Sequence, residues 1–407
     1  MKIIYAFVFY YPLFMAFVLV FGALIYNLFR ARKTPDIEHL PETPLVSILV
    51  PCHNEEGCIR ETLRHLTKVD YPNYEIIAIN DGSTDKTIKI LRETAQTDPL
   101  LRIVDLASNQ GKGMALAMGT IAARGEYLVC IDADALLDPK AVSYFVWHFL
   151  KFPRAGAITG NPRVRNRTSI LGKIQVGEFS SIIGMIKRSQ RILGKIYTVS
   201  GVIAAFRKTA LYSVGFWSND MVTEDIDVSW KMQLRFWDIH YEPRALCWIL
   251  MPETVRGLWR QRLRWAQGGG EVIKKYSKTL QNWKQRRLWP IFIEYVTSVF
   301  WAYCLFLTFA IYLLGLFIAL PPDIVVHTIV PGWTGVILAM VCLFQTAVGL
   351  AMDSQFEKGS YRVFFWLIWY PMLYWILNAA ATVFGFPRAL LKKHGTIAIW
   401  ESPDRGW

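Results

Sequence analysis

The sequence is poor in cysteine and in charged residues, and both shortages limit what the protein can be. Its 407 residues include only 6 cysteines, and no two of them form a C-x-x-C pair. We therefore expect reduced, structural thiols and no zinc site. Charged residues make up 19% and hydrophobic residues 53% of the chain, and the mean hydropathy is +0.26. This composition is too apolar for an ordinary soluble enzyme, so part of the chain is expected to lie in lipid.

Two glycine-rich nucleotide-binding motifs are missing as well. The first predicted strand runs into Pro51-Cys-His-Asn-Glu55, where a nicotinamide-binding Rossmann domain would carry G-x-G-x-x-G. Gly111-Lys112 is not a P-loop, because the residue five positions before Gly111 is Leu106 and a glycine follows the lysine. A nucleoside diphosphate bound by this chain would need a different cradle.

Acidic residues are fewer than basic ones. The chain has 32 Asp and Glu against 45 Lys and Arg, which gives a net charge of +13. Such a surplus fits nucleic acid, an anionic bilayer surface or an anionic substrate, and charge alone does not choose among them.

Several apolar runs are near or above the length needed to span a bilayer. The first, 3–28, is longer than the apolar region of a signal peptide and lacks an A-x-A-like cleavage site, so we expect a retained anchor. Arg30, Arg32 and Lys33 follow it, which predicts a cytoplasmic location for the next domain. Three more runs lie at 291–320, 333–352 and 363–386. The side of the bilayer that holds the tail is left open.

Between these runs, short apolar strands alternate with helical patterns. The helix after the first strand carries Ile59, Leu63 and Leu66 on one face. This alternation predicts an α/β domain with a mainly parallel sheet. The predicted strands are 46–51, 75–80, 102–106, 127–131, 155–160 and the strand-like 197–206, with a basic loop at 161–167.

Two carboxylates, Asp132 and Asp134, follow the fourth predicted strand directly. They could form a polar turn that caps the next helix, but Asp138-Pro139 already supplies a cap and a first-turn proline. In an open α/β sheet, ligands bind at the carboxyl ends of the strands. Two carboxylates one residue apart suit Mg²⁺ or Mn²⁺, which complete their coordination with substrate phosphates and water. The leading hypothesis is a metal-bound diphosphate.

Asp81 lies at the end of the second predicted strand, before Gly82. A tight turn is one interpretation, with the glycine at positive φ. Because Asp85 is the better helix cap, the other interpretation is that Asp81 accepts hydrogen bonds from a base or ribose. Nearby, His53 is interpreted as a half-buried polar ring, and Glu55 could be a first-turn residue favoured by the helix dipole.

Two later motifs also have alternative interpretations. Thr223-Glu224-Asp225 is on its own an ordinary helix start, with Thr223 as the N-cap. Gln261, Arg264 and Trp265 stand at i, i+3 and i+4, hence on one face of a helix. The many arginines around them also fit a basic interfacial helix that lies along the membrane.

The ordered set is far more specific than any member of it. An aspartate after the second strand, D-x-D after the fourth, Thr-Glu-Asp, and then Q-x-x-R-W before membrane spans resembles the processive inverting glycosyltransferases of family 2, whose catalytic domain has the nucleotide-sugar-binding GT-A fold. The resemblance covers roughly 44–407. Longer matches resemble the members that make β-1,6-linked N-acetylglucosamine polymers, and they lie at 158–163, 172–175, 197–207, 241–253, 261–269 and 402–406.

The resemblance implies a role for each motif. The donor would be UDP-N-acetylglucosamine, with its nucleoside near Asp81 and its diphosphate on Mg²⁺ or Mn²⁺. Asp225 would be the general base that takes the proton from the 6-hydroxyl of the acceptor sugar, and Arg264 would stabilise the departing diphosphate. The implied substrate-binding residues are Pro51, Glu55, Asp81, Lys112, Asp132 and Glu224, the metal ligands are Asp132 and Asp134, and the remaining catalytic set is Asp225, Gln261, Arg264 and Trp265.

The same resemblance predicts an organisation and a location. We expect an anchor at 1–29, a linker at 30–44, a cytoplasmic GT-A domain at 45–254, amphipathic interfacial helices at 255–290, a transmembrane region of about three segments at 291–386 and a tail at 387–407. The predicted location is the bacterial inner membrane, and the expected partners are the donor, the growing polysaccharide and the lipid bilayer, with no nucleic acid. A small membrane partner subunit is left open. Three alternative functions are also left open: transfer of a single sugar to a lipid, synthesis of a chitin-like or hyaluronan-like polymer, and an inactive membrane sensor.

Overall fold

The computed structural model describes residues 2–31, 35–326, 333–357, 359–393 and 395–398. Its strands are β1 Val46–Cys52, β2 Tyr74–Asp81, β3 Leu101–Leu106, β4 Tyr127–Ile131, β5 Leu136–Leu137, β6 Ala155–Val164, β7 Ile203–Arg207 and β8 Asp238–Ile249. Its α-helices are α1 Lys2–Tyr26, α2 Ile59–Leu66, α3 Thr87–Ala95, α4 Lys112–Ala122, α5 Ala141–Lys151, α6 Ile170–Glu178, α7 Gly184–Leu193, α8 Lys208–Val214, α9 Glu224–Leu234, α10 Val255–Leu280, α11 Trp289–Gly315, α12 Trp333–Asp353 and α13 Tyr370–Leu391. Arg32, Lys33 and the matching stretch 402–406 lie outside the described residues.

The chain forms two compact units, each assembled from separate segments. The sheet unit comprises Ala31–Gly172, Gly194–Gly257 and Lys392–Trp407. The helical unit comprises Met1–Arg30, Lys173–Leu193 and Leu258–Leu391. Because Lys173–Leu193 belongs to the helical unit, the sheet unit is not the continuous stretch that the sequence predicts.

The sheet unit contains one sheet with the strand order β3-β2-β1-β4-β7-β6-β8-β5. β1 pairs in parallel with β2 and β4, and β2 pairs in parallel with β3. Every residue of β1 and β4 is buried, as expected for central parallel strands covered on both faces. The mainly parallel α/β sheet predicted from the sequence is confirmed.

The far half of the sheet differs from the sequence prediction in detail. β7 lies antiparallel between β4 and β6, and it begins at Ile203 because Ser200 and Ile203 close a turn before it. β6 continues to Val164, four residues beyond its predicted end, because it pairs with β8 over that length. The first residues of the predicted basic loop are therefore strand, and Asn161 donates a hydrogen bond to the carbonyl oxygen of Pro243 at 2.9 Å.

The helices of the sheet unit follow the predicted apolar faces. Ile59, Leu63 and Leu66 of α2 are all buried. Asp138 accepts a hydrogen bond from the backbone N–H of Lys140 at 2.9 Å, immediately before α5. The short strand β5 occupies the chain between Asp134 and this turn and pairs with β8. Asp138 therefore holds the start of α5, and Asp132 and Asp134 do not take this position.

The helical unit contains three stretches long and apolar enough to cross a membrane, among the residues that the structure describes. They are Lys2–Arg30, Trp283–Gly315 and Trp333–Asp353. The fourth predicted span is divided between a 3-10 helix, Ser360–Trp369, and α13, which has Pro371 at its start. A proline suits the first turn of an α-helix and does not continue the helix before it.

A buried ion pair joins two segments of the helical unit. Arg188 of α7 donates to Asp353 of α12 at 2.6 Å, and the two side chains are 1% and 0% exposed. α7 also packs against α1. The three chain segments of this unit are thus connected by both apolar and charged contacts.

Candidate active site

Lys112 is the centre of the polar cluster in the sheet unit. It begins α4 directly after Gly111, which has a φ of +87° that side chains rarely allow. Its ammonium nitrogen lies 2.7 Å from Oδ1 of Asp132, 3.3 Å from Oε1 of Glu224 and 3.2 Å from the carbonyl oxygen of Gly201. Burial alone would lower the pKa of Lys112, but the two carboxylates outweigh it and hold the pKa above its ordinary value. Lys112 is therefore a fixed positive charge that joins the D-x-D pair to the start of α9.

Asp132 and Asp134 follow β4 at the carboxyl edge of the parallel strands. Asp132 is 23% exposed, whereas Asp134 is only 5% exposed. Both donors are carboxylates, which fits Mg²⁺ or Mn²⁺ and fits neither a thiolate nor an imidazole site. Within the described ranges, no group of three His, Cys, Asp or Glu side chains could hold a metal. An ion held by this pair would therefore depend on substrate phosphates and water for its other ligands.

Asp225 lies in the first turn of α9, and its carboxylate is held by a backbone group from another segment. The N–H of Gly201 donates to Oδ2 of Asp225 at 3.2 Å. Since the carbonyl of Gly201 also contacts Lys112, one peptide residue connects Asp225 with Lys112. Thr223 occupies the N-cap position of α9, but its side chain makes no capping hydrogen bond. The Thr-Glu-Asp motif therefore does more than begin a helix, because Asp225 is also bound by a backbone N–H from another segment and Glu224 contacts Lys112.

Asp81 holds the loop that leads into α4. Its two carboxylate oxygens accept the N–H groups of Gln110 and Gly111 at 2.8 and 2.9 Å. Burial raises the pKa of Asp81, and these two hydrogen bonds oppose it. Gly82 has a φ of +60°, so the tight turn considered for this position is also present. Asp81 thus has a structural contact in addition to any contact with a nucleoside.

His53 connects the ends of β1 and β2 with the same loop. Its Nδ1 lies 2.7 Å from the carbonyl oxygen of Asp81, and its Nε2 lies 3.1 Å from the amide nitrogen of Asn109. The carbonyl accepts only, so Nδ1 carries the proton and Nε2 accepts. The sequence interpretation treated His53 as a half-buried polar ring, and the structure gives both ring nitrogens defined partners, since Nε2 also lies 3.3 Å from the amide nitrogen of Asn54.

Pro51 and Glu55 occupy the carboxyl end of β1 and the turn after it. Pro51 pairs with Ile79 of β2. Glu55 is 1% exposed, and the thiol of Cys58 donates to its Oε2 at 3.0 Å. Glu55 is therefore directed into the start of α2.

The Q-x-x-R-W residues lie on α10, in the helical unit. Arg264 is exposed, whereas Gln261 and Trp265 are partly buried. Oε1 of Gln261 is buried without a hydrogen-bond partner in the described part of the chain. Arg262, inside the motif, donates to Glu178 at 2.6 Å.

Sequence reasoning did not find Gly201, Glu178 or Arg262 as members of these clusters. Gly201 contributes only backbone atoms, which residue type does not encode. Glu178 and Arg262 are 84 positions apart, so their pairing has no local pattern. The stretches that contain Gly201 and Arg262 are nevertheless among the long matches to the family.

The chain is similar to a family of known enzymes over nearly its whole length. The profile "Glycosyl transferase family 2" matches residues 47–215. Poly-β-1,6-N-acetyl-D-glucosamine synthase of Staphylococcus epidermidis is 41% identical over 414 residues, which cover 99% of this chain and 98% of the relative. The synthase of the same name from Staphylococcus aureus strain MSSA476 is 40% identical, and the match covers 98% of each chain.

A solved structure has the same fold. It is a mannosyltransferase from Pyrobaculum calidifontis in complex with GDP-Man and Mn²⁺, with a TM-score of 0.58 and 19% identity over 93% of this chain and 98% of that one. This likeness concerns the fold alone, and it confirms the predicted GT-A type. The two synthases and the family profile establish that the chain is a glycosyltransferase and belongs to glycosyltransferase family 2.

Proposed function

We propose that the protein polymerises N-acetylglucosamine from UDP-N-acetylglucosamine into the β-1,6-linked exopolysaccharide of biofilms, as a membrane-bound processive inverting transferase. One observation carries the proposal: Lys112 contacts Asp132, Glu224 and Gly201, and Gly201 in turn holds Asp225. The D-x-D pair and the Thr-Glu-Asp motif are thereby parts of one site. The names of the 40% identical relatives support the donor and the product.

The carboxyl edge of the sheet holds the donor. Asp132 and Asp134 would hold Mg²⁺ or Mn²⁺, and Lys112 adds a positive charge for the diphosphate. The ion would supply a Lewis acid that neutralises charge on the leaving diphosphate. We assign Asp81 and the 109–111 loop that it holds to the nucleoside end. The family resemblance adds Pro51, Glu55 and Glu224 to the substrate-binding residues. This cradle replaces the glycine-rich motifs that the sequence lacks.

Asp225 activates the acceptor. Its carboxylate takes the proton of the acceptor's 6-hydroxyl, the hydroxyl oxygen bonds to the anomeric carbon, and the bond from that carbon to UDP breaks. Attack from the face opposite UDP converts the α donor into a β linkage. A positioned base of this kind contributes roughly 10²- to 10⁴-fold in rate. The hydrogen bond from Gly201 fixes the carboxylate for this step.

The Q-x-x-R-W helix serves the diphosphate and the acceptor. Exposed Arg264 stabilises the departing diphosphate, a contribution worth about 3 kcal/mol in comparable sites. Trp265 gives the acceptor ring an apolar face, and Gln261 offers an amide for its hydroxyls. These three roles come from the family resemblance, and their position on one helix face supports them.

The three apolar helices support a multi-pass location in a membrane. The basic residues after the first apolar run support the proposed cytoplasmic position of the sheet unit, and the family resemblance points to the bacterial inner membrane. The interfacial part of α10 then lies against lipid, and the growing polymer leaves through the bilayer. The proposal extends to a small membrane partner subunit as an additional component.

The decisive experiment offers sealed inside-out membrane vesicles a panel of labelled UDP-sugars and sizes the product. We expect polymer only from UDP-N-acetylglucosamine, digestible by a β-1,6-N-acetylglucosaminidase once detergent opens the vesicles. A product of one or two sugars, or a requirement for another donor, would overturn the substrate and leave the transferase intact. Polymer digested before detergent is added would contradict export by this chain.

A further inference from the structure

The Q-x-x-R-W motif contains a second arginine, Arg262, which is buried, whereas Arg264 is exposed. Arg262 donates through Nη2 to Oε2 of Glu178, the last residue of α6, at 2.6 Å, and each side chain is 5% exposed. Arg264, two residues later, is exposed. Because Arg262 is enclosed, it does not reach a sugar or a diphosphate directly. Any role in the reaction must therefore act through a neighbour.

That neighbour is Trp265. The guanidinium carbon of Arg262 lies 4.3 Å from the centre of a Trp265 ring, as expected for positions i and i+3 of a helix. It also lies 5.8 Å from the ring of Tyr374 in α13, which stacks on Tyr370 at 5.0 Å. A planar guanidinium favours stacking on an aromatic face, which an ammonium group does less well. Arg262 thus fixes one face of the tryptophan.

Stability alone is a weak explanation for this ion pair. Desolvating two charges costs about as much as their attraction returns, so a buried pair is often no better than apolar residues of the same size. The pair is instead suited to hold its arginine in one orientation, since Glu178 comes from a different helix and limits how the guanidinium turns. The constraint passes from Glu178 to Arg262 and from Arg262 to Trp265.

We propose that Glu178 and Arg262 are positioning residues that hold Trp265 in the orientation in which it receives the acceptor sugar, and that they thereby set the length of the polymer. The inference rests on the proposed acceptor role of Trp265. After each transfer, the new end of the polymer must return to this platform before it dissociates. A tryptophan that turns freely retains the polymer less well, while donor binding on the sheet unit is unaffected.

The test uses the full-length protein in membranes and compares Glu178→Gln, Arg262→Met and Arg262→Lys. The readouts are mean product length, the KM for UDP-N-acetylglucosamine and the melting temperature. We expect Glu178→Gln and Arg262→Met to shorten the product about fivefold or more and to leave the donor KM within about twofold. Arg262→Lys keeps the charge for Glu178 but loses the stacking, so it should also shorten the product.

Two controls separate positioning from structural damage. Arg188→Lys and Asp353→Asn alter a second buried ion pair of the helical unit, which has the same 2.6 Å distance. Arg260→Ala removes an exposed arginine of the same helix. We expect Arg188→Lys and Asp353→Asn to lower the melting temperature and total activity without shortening the product, and Arg260→Ala to change neither. If the variants of Glu178 and Arg262 behave like those of Arg188 and Asp353, or if product length is unchanged, the inference is wrong.

Failure of the proposed function is visible without any variant. A wild type that polymerises another UDP-sugar overturns the donor, and the length comparison then proceeds with that sugar. A wild type that transfers one sugar only overturns polymerisation and this inference with it.

Discussion

The ammonium group of Lys112 lies 2.7 Å from a carboxylate oxygen of Asp132. Replacing Lys112 with Met leaves the carboxylates of Asp132 and Glu224 without the cation between them and removes a charge meant for the diphosphate. We expect transfer to fall by roughly 10²- to 10³-fold, the usual effect of losing one electrostatic contact in an active site. Initial rates measured in membranes check this. Lys140→Met, at an exposed lysine, is the control, and equal rates for both variants would contradict the role of Lys112.

A substitution of Asp134 tests whether transfer requires a metal ion. We expect Asp134→Asn to abolish transfer, and we expect EDTA to do the same to the wild type until Mg²⁺ or Mn²⁺ is restored, because an amide is a poor ligand for a hard cation. Labelled sugar incorporation measures both effects. The melting temperature in detergent shows whether the variant is folded. Full activity in metal-free buffer would remove the metal from the mechanism.

Asp225 distinguishes a base from a helix-start residue. Asparagine keeps one oxygen that accepts a backbone N–H, whereas the carboxylate accepts two, from Gly201 and Ile226. A purely structural Asp225 should therefore lose some stability on this change and little turnover. As a base, Asp225→Asn should lose about 10²- to 10⁴-fold in kcat, because an amide does not accept the proton. UDP binding, measured by calorimetry, should persist. A variant with near-normal turnover would show that another group acts as the base.

Gly201 provides a finer test of the same position. A Cβ added there would lie 3.1 Å from Oδ2 of Asp225, so the carboxylate must move by a few tenths of an ångström. We expect Gly201→Ala to lower kcat by about tenfold while the donor KM stays unchanged. Gly57→Ala is the matched control, since no atom lies within 4 Å of an added Cβ there. Equal kcat values for the two variants would show that the Gly201 contact does not position Asp225.

The lowered pKa of Glu75 leads us to expect that the stability of the sheet unit depends on pH. Burial would raise its pKa, but hydrogen bonds from the N–H of Arg124 and from Ser47 and Arg102 outweigh it and hold the pKa below the ordinary value of 4.5. Because the pKa is lowered in the folded state, the charged carboxylate gives its full stabilisation at pH values above the ordinary pKa. This stabilisation is lost as pH falls through the lowered pKa.

We therefore expect Glu75→Gln to lower the melting temperature by roughly 2 to 6 °C at pH 7. The difference from wild type should shrink as pH falls below 4.5. Thermal unfolding in detergent at several pH values measures both. Glu93→Gln, in an exposed pair with Arg60, should change the melting temperature by about 1 °C or less. A pH-independent difference at Glu75 would exclude its charge as the cause.

The sequence predicted those parts of the fold that a local pattern encodes. The fourth strand has the predicted bounds, because a run of apolar residues ends at a pair of carboxylates. Asp85, the predicted cap of the third helix, accepts the N–H of Thr87. β6 was predicted too short, because its last residues are polar and only the pairing with β8 makes them strand. A polar residue buried by a distant strand gives no local signal.

The candidate site also has features that a local pattern encodes and features that depend on distant contacts. The charged residues after strands and at helix starts could be selected as candidates, because their positions follow from the local pattern of strands and helices. Their connections could not be found. Gly201 meets Asp225 across 24 positions through a backbone N–H, and Glu178 meets Arg262 across 84 positions. Such contacts arise from the tertiary fold, which an order of residue types does not specify.

The ion pair between Arg188 and Asp353 joins positions that lie 165 residues apart. A ribosome that adds about 5 to 20 residues per second needs roughly 10 to 30 s to reach the aspartate after it has made the arginine. Throughout that interval, α7 can pack its apolar side against α1, but the arginine lacks the carboxylate of Asp353 and is costly to bury. We therefore expect the buried ion pair, and with it the final packing of α7, to form only after the end of α12 has been synthesised.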